Sequence, residues 1–250
     1  MWYRFLGRTG LKVSIIGLGS RLTYETKFEC MKAAYGAGVN FFDTAGEYGG
    51  GKAEVLLGQA IKRYGWKQND LVLSTRGMNC CLERLDLPYV DIVYAYRPDR
   101  QTPMEENVCV FNYLVYTDKG FYWGSSEWSD SEIADAWRFA DKLGLTGRAV
   151  ELPHLGLTVF ALLKMGILTG KTQRRGCAST WQQRLEVVVE LKVIAEEPGC
   201  SLTELALAWV LMNRNVSALI MGAEKLTSEI MKGMEHVAQN KPKEEPLRFG

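Results

Sequence analysis

Asp43 and Tyr48 stand five positions apart in Phe41-Phe42-Asp43-Thr44-Ala45-Gly46-Glu47-Tyr48-Gly49, and these side-chain types suit proton transfer to an oxygen. A phenol acts as a general acid toward a carbonyl oxygen when a nearby cation lowers its pKa and a carboxylate orients that cation. The stretch is apolar up to Asp43, as a buried strand end should be. Gly46 then lets the chain turn, so that Tyr48 emerges just beyond the strand's C-terminal end. In β/α barrels, active sites are built on that face. By themselves, an Asp and a Tyr at this spacing are most often an ordinary pair of loop residues, so both readings stay open at this point.

Other chemically capable residues are few. His154 follows Pro153 in a short connection and His236 falls in a helical pattern near the C-terminus, and both read as surface residues. Cys30, Cys80, Cys81, Cys109, Cys177 and Cys200 include no C-x-x-C pair, and with only 2 histidines no zinc framework is expected. Scattered thiols of this kind suit a reducing, cytoplasmic setting. A disulfide between the adjacent Cys80 and Cys81 would be strained. The 30 basic and 29 acidic side chains leave a net charge of +1, too little to steer the chain to nucleic acid or an anionic membrane. The densest cationic run, Lys171-Thr172-Gln173-Arg174-Arg175, reads as a solvated loop. Trp123 and Trp128 read as core or pocket wall, since no basic groove accompanies them. The start, Met1-Trp2-Tyr3-Arg4, carries no secretory pattern, and no apolar run approaches the ~20 residues that insertion into a bilayer requires.

The elements that must position Asp43 and Tyr48 follow from hydrophobic patterning. Eight apolar runs of strand length recur: Ile15–Gly19, Phe41–Thr44, Leu71–Thr75, Val90–Tyr96, Phe121–Gly124, Ala149–Leu152, Leu157–Ala161 and Val216–Met221. They are continuous rather than alternating, as in parallel strands buried on both faces. Helical patterns cover Phe28–Ala37, Ala53–Tyr64 and Met104–Lys119; Ser129-Asp130-Ser131-Glu132 opens a further helix that Leu143-Gly144 closes. This alternation predicts an α/β fold, a (β/α)₈ TIM barrel, with an open doubly wound sheet as the alternative. The connections are irregular, however. Only 14 residues separate Thr75 from Val90, leaving Asn79–Leu85 as a helix of about two turns, and only Pro153–Gly156 separate Leu152 from Leu157. A parallel crossover normally needs a dozen residues or more, so either these strands are not parallel neighbours or crossover helices have been lost.

Several motifs, in order along almost the whole chain, resemble the aldo/keto reductases, in the branch close to voltage-gated potassium-channel β subunits. They are Tyr3-Arg4-Phe5-Leu6-Gly7-Arg8-Thr9-Gly10-Leu11-Lys12-Val13-Ser14, Asn40-Phe41-Phe42-Asp43-Thr44-Ala45, Glu83-Arg84-Leu85-Asp86-Leu87-Pro88-Tyr89-Val90-Asp91, Tyr96-Arg97-Pro98-Asp99, Thr102-Pro103-Met104-Glu105-Glu106, Tyr122-Trp123-Gly124-Ser125-Ser126-Glu127-Trp128 and Leu205-Ala206-Leu207-Ala208-Trp209-Val210-Leu211. The resemblance implies a single barrel domain over 1–240 followed by a tail at 241–250, with NADP(H) bound across the C-terminal mouths of the strands. It also implies an incomplete barrel, in which the crossover helices after the third, sixth and eighth core strands are shortened or missing.

The catalytic set implied by the resemblance is Asp43, Tyr48, Arg76 and Tyr96. Arg76 stands where the family has Lys, and Tyr96 where it has His or Asn. Arg76 keeps the positive charge on a wider, planar fork, and Tyr96 would project into the substrate pocket. The implied cofactor positions are Ser20, Asp43, Ser126, Leu163, Gly166, Lys171 and Gly222. Leu152 replaces an expected Gln, Ala161-Leu162 replace Ser-Pro, and the adenosine-binding segment expected after Ala223 is absent. The implied activity is reduction of a small aldehyde or ketone, with Tyr48 as proton donor. The alternative is a non-catalytic regulatory subunit that joins a membrane channel or a homo-oligomer.

Overall fold

The computed structural model describes residues 1–7, 9–21, 27–77, 79–99, 101–147, 157–159, 168, 178–197, 199–213 and 215–222. The chain divides into two compact units, Met1–Phe160 with Arg214–Glu224, and Ala161–Asn213 with Lys225–Gly250. In the first, β1 (Tyr3–Phe5) and β2 (Lys12–Ser14) make an antiparallel hairpin. The other strands are β3 (Ile16–Gly19), β4 (Phe41–Asp43), β5 (Val72–Arg76), β6 (Val90–Tyr96), β7 (Gly120–Ser126), β8 (Leu157–Val159) and β9 (Val216–Gly222). These seven pair in parallel in the order β7-β6-β5-β4-β3-β9-β8. Helices α1 (Lys27–Gly36), α2 (Lys52–Tyr64), α3 (Asn79–Leu85) and α4 (Met104–Tyr116) each join successive parallel strands, and α5 (Asp130–Lys142) follows β7.

The sheet curls. The Tyr94 hydroxyl on β6 lies 3.0 Å from the Thr158 hydroxyl on β8, although four strands separate them in the sheet order. Phe41, Val72, Ile92, Tyr94, Ala218 and Ile220 fill the concave face together with Leu6 from the hairpin. The hairpin sits at the strands' N-terminal end: Arg4 Nη1 donates to Val216 O at 2.7 Å, and Ser217 Oγ donates to Phe5 O at 3.0 Å. On the convex face Ala95 and Trp123 pack with Val108 of α4 and Ile133, Ala136 and Ala140 of α5. This arrangement is an incomplete (β/α)₈ barrel. The expected strand at Ala149–Leu152 lies outside the described residues; in chain order it falls between β7 and β8, the two edge strands.

The short connection after β5 is a shortened crossover: β5 and β6 are parallel neighbours joined by the seven residues of α3. Gly58 makes this possible. A Cβ there would sit 2.0 Å from Leu85 O, so α3 rests directly on the backbone of α2. The connections expected to be short after Leu152 and after Gly222 lie outside the described residues. Helix α4 stops three residues before the expected Lys119, because Asp118 takes a positive φ of 56° and Lys119 N–H turns back to Leu114 O. The capping of α5 is as expected, with Ser129 and Glu132 exchanging hydrogen bonds and Gly144 at φ 62° after the last turn.

In the second unit α6 (Ala178–Glu196) and α7 (Leu202–Met212) pack Val188 and Leu191 around Leu202 and Leu168. A Ser201–Glu204 capping box starts α7. Among the described residues no helix is long and apolar enough to cross a membrane.

Candidate active site

Strand alternation sets the site. Residues two apart on a strand share a face, so Asp43 follows Phe41 on the concave face of β4, and Ser74 and Arg76 follow Val72 on that of β5. The Asp43 carboxylate is therefore held at the C-terminal mouth, in register with Ser74. Its Oδ1 accepts from Ser74 Oγ at 2.7 Å and its Oδ2 from Arg76 Nη1 at 2.9 Å. This ion pair is secluded, with side-chain exposures of 3% for Asp43 and 9% for Arg76.

The same Nη1 donates to Thr44 O at 3.2 Å and to the Tyr48 hydroxyl oxygen at 3.3 Å. The Arg76 guanidinium carbon also lies 5.9 Å from the Tyr48 ring centroid and 5.4 Å from that of Tyr94. Asp43, Arg76 and Tyr48 thus form one hydrogen-bonded chain. Backbone bonds fix the loop that carries Tyr48: Thr44 N donates to Ser74 O, Gly46 N to Arg76 O, and Tyr48 N to Ala45 O.

The electrostatics depart from expectation in one respect. Burial, the largest influence, raises the Tyr48 pKa; Arg76 pulls it down, Asp43 and Glu47 push it up, Arg21 lowers it, and the net shift is upward. The nearby cation does lower the phenol's pKa, but desolvation and two carboxylates outweigh it. Tyr48 is consequently a protonated donor across the neutral range. For Arg76, burial favours the neutral form, but Asp43, Tyr48 and Tyr94 more than reverse this and its pKa is raised.

The remaining expected residues are placed as follows. Tyr96 ends β6 on the same face as Tyr94, 42% exposed, with the Arg97 guanidinium carbon 5.3 Å from its ring centroid. It stands at the mouth, two residues beyond Tyr94, the register partner of Arg76. Ser20, Asp43, Ser126 and Gly222 all lie at C-terminal ends of parallel strands: Ser20 immediately after β3, the others at the last residue of β4, β7 and β9. Ser20 N donates to Asp43 O at 2.8 Å. Leu163, Gly166 and Lys171 lie outside the described residues. Beyond β6 and β7, Arg97 and Glu127 hold φ values of 33° and 65°, backbone strain of the kind that gathers at functional sites.

Three buried polar atoms have no hydrogen-bond partner among the described residues: Ser20 Oγ, Thr44 Oγ1 and Trp128 Nε1. Buried polar groups are nearly always paired. Two of the three, the Ser20 and Thr44 hydroxyls, belong to the residues that immediately follow β3 and β4. Trp128, expected as core or pocket wall, is buried in the α4–α5 layer.

Sequence patterning did not single out Ser74, Tyr94, Glu54 or Arg84. The first two were available from strand periodicity, lying two residues before Arg76 and Tyr96. Glu54 sits on the buried stripe of α2 with Ala53, Leu57 and Ile61, an acid at a core position of a helical pattern. Its Oε1 accepts from Thr75 Oγ1 at 2.6 Å and its Oε2 from Arg84 Nε at 2.6 Å. Burial pushes the adjoining Cys81 thiol up to about 11, with Glu54 adding to the effect, so Cys81 is not a reactive thiolate.

Comparison with known proteins agrees with the architecture. The family model described as "Aldo/keto reductase family" matches residues 13–145 and 148–232. A rice (Oryza sativa subsp. japonica) protein named "Probable voltage-gated potassium channel subunit beta" is 35% identical over 322 aligned positions, covering 97% of this chain and 98% of its own. An Arabidopsis thaliana protein of the same name is 34% identical with the same coverage. An alignment of 322 positions against a chain of 250 residues leaves at least 72 positions empty here, which accords with the shortened crossover after β5. With its family model matched over most of its length and its relatives aligned nearly end to end, the chain belongs to the aldo/keto reductase family.

Proposed function

We propose that this chain is an NADP(H)-dependent oxidoreductase that reduces small aldehydes or ketones, with Tyr48 delivering the proton. The observation that carries this reading is the continuous contact from the Asp43 carboxylate through Arg76 Nη1 to the Tyr48 hydroxyl. Asp43 fixes the Arg76 fork by a charge-assisted hydrogen bond. Arg76 then presents a fixed positive charge to the phenol oxygen, which stabilises the phenolate as the proton leaves for a carbonyl oxygen. The secluded pair strengthens this effect, since charges interact more strongly away from water. Tyr96, at the mouth, lines the substrate's approach.

The hydride would come from NADPH when it is bound. The shared C-terminal strand ends, where Ser20, Asp43, Ser126 and Gly222 gather, favour a polar ligand of this kind. Ser20, Asp43, Ser126 and Gly222 would hold its nicotinamide end. The setting we assign is the cytoplasm.

NADPH titration followed by intrinsic fluorescence, then addition of 4-nitrobenzaldehyde while nicotinamide absorbance is followed, tests the proposal. Expected are saturable binding and a turnover that Tyr48→Phe lowers by about 10²–10⁴-fold. Equal turnover in Tyr48→Phe rejects the role given to Tyr48.

Two positions favour a second reading, a regulatory subunit that retains cofactor and pairs with a membrane channel or with copies of itself. These are Arg76 in place of the Lys, and Tyr96 in place of the His or Asn, that the resemblance leads one to expect. The names of the rice and Arabidopsis relatives support it. Binding of NADPH without turnover, with capture by a voltage-gated potassium channel, selects this reading; a monomer that captures no channel counts against it.

A further inference from the structure

Behind the Asp43–Arg76–Tyr48 chain lies a second charged pair that the proposed chemistry does not use. Glu54 is fully buried, and both its carboxylate oxygens are engaged, one by Thr75 and the other by Arg84. Burying a carboxylate is costly unless it is paired and hydrogen-bonded, so Glu54 holds Arg84 firmly. The Arg84 side chain runs flush against the loop that carries Tyr48. A Cβ on Gly51 would come within 2.6 Å of Arg84 Cδ, and one on Gly46 within 2.8 Å of Arg84 Nη2. Gly46 and Gly51 bracket Tyr48. Arg84 Nη2 also reaches Cys81 Sγ at 3.3 Å, and that sulfur lies 3.6 Å from Arg76 O, the carbonyl that Gly46 N also contacts. Thr75, which Glu54 grips, is the residue before Arg76.

We infer that Arg84, anchored by Glu54, is a positioning residue that sets the seat of the Gly46–Gly51 loop and thereby the approach of the Tyr48 hydroxyl to Arg76. The planar fork matters as well as the charge, because only a guanidinium can engage Glu54 through Nε while lying along both glycines and reaching Cys81. This inference rests on the reading of Tyr48 as proton donor.

The test uses two variants of the full chain. Arg84→Lys keeps a cation for Glu54 but withdraws the fork from Gly46 and Cys81. The double variant Glu54→Gln/Arg84→Met removes both charges together, so that neither is left buried alone. In each, Tyr48 is titrated by NMR of ring-labelled tyrosine, its resonance identified by its loss in Tyr48→Phe, and kcat and KM are measured with NADPH and 4-nitrobenzaldehyde. With the loop loosened, water reaches the phenol, and the Tyr48 titration should move down toward that of free tyrosine. Where turnover is measurable, kcat should fall about 10- to 100-fold while KM changes less than about 3-fold. A Tyr48 titration unchanged in both variants overturns the inference, whatever happens to the melting temperature. If the unaltered chain shows no turnover, the reductase reading fails alone, and the titration still decides the role of Arg84.

Discussion

Replacing Asp43 by Asn leaves the shape of the site intact and removes one charge from a secluded pair. Arg76 Nη1 lies 2.9 Å from Asp43 Oδ2, with both side chains almost fully buried. At that separation, two unit charges attract by about 6 kcal/mol at an effective dielectric near 20. The amide introduced by Asp43→Asn would at best accept one bond and would turn an N–H toward either Arg76 or Ser74, both donors to Asp43. Leaving a buried guanidinium without its counter-charge costs about 3–5 kcal/mol. For a chain of this size that corresponds to a fall of about 6–20 °C in melting temperature. The Asp43→Asn/Arg76→Met pair removes both charges and keeps an apolar stem in place of the arginine's. The double variant should therefore be more stable than the sum of the two singles by at least about 2 kcal/mol. Urea unfolding of the four proteins measures this coupling. Purely additive losses, or a loss below about 1 kcal/mol in Asp43→Asn, would refute the claim that the pair is a mutually dependent buried unit.

Other outcomes follow from the same geometry. Because the Tyr48 pKa is raised above 10.0 and the protonated phenol is the donor, carbonyl reduction should be flat across the neutral range and decline only above about pH 10. Arg76→Met, which removes a lowering influence, should shift that limb upward, and Asp43→Asn downward; a limb beginning near pH 8 would contradict this. Asp91, buried on β6 with Oδ2 accepting from Leu73 N at 2.8 Å, has its pKa pushed up by burial from 3.8 to about 6. The folded chain then holds this proton more tightly than the unfolded one, so the stabilisation is full below about pH 4 and lost as pH rises through about 6. Asp91→Asn should flatten the stability profile across that window, by up to about 3 kcal/mol, in urea unfolding at stepped pH. Gly58→Ala places a methyl 2.0 Å from Leu85 O and must push α3 off α2. It should cost at least about 1–3 kcal/mol in thermal unfolding, and an unchanged midpoint would show that α3 is not seated on that backbone.

The strands were legible because burial on both faces writes itself as continuous apolar runs, and β3 to β6, β8 and β9 begin within one residue of where those runs do. Strand β7 runs on to Ser126 because polar Ser125 and Ser126 continue its ladder with Ala95 and Tyr96, which hydrophobicity cannot signal. Asp43 and Tyr48 were visible from type and spacing. Their cation, Arg76, was reached only through the family resemblance, since it lies 28 residues beyond Tyr48 and meets it only through parallel pairing of β4 and β5. The direction of the Tyr48 shift was hidden for a related reason: it depends on burial and on Glu47 as well as on the cation. Glu54 lies in a helical pattern and Arg84 in a family motif, and neither context gave them a role. Only the close approach of α3 to α2, permitted by Gly58, joins the fully buried Glu54 to the partly exposed Arg84 beside the Tyr48 loop.

Single-turnover oxidation of NADPH by excess protein with 4-nitrobenzaldehyde at neutral pH, compared among the unaltered chain, Arg76→Met and Tyr48→Phe, reads proton delivery without interference from product release. If Arg76 and Tyr48 act as one hydrogen-bonded unit, the unaltered chain is fastest, Tyr48→Phe is slower by about 10² or more, and Arg76→Met falls between them. Three indistinguishable rates would mean that neither side chain takes part in the chemistry.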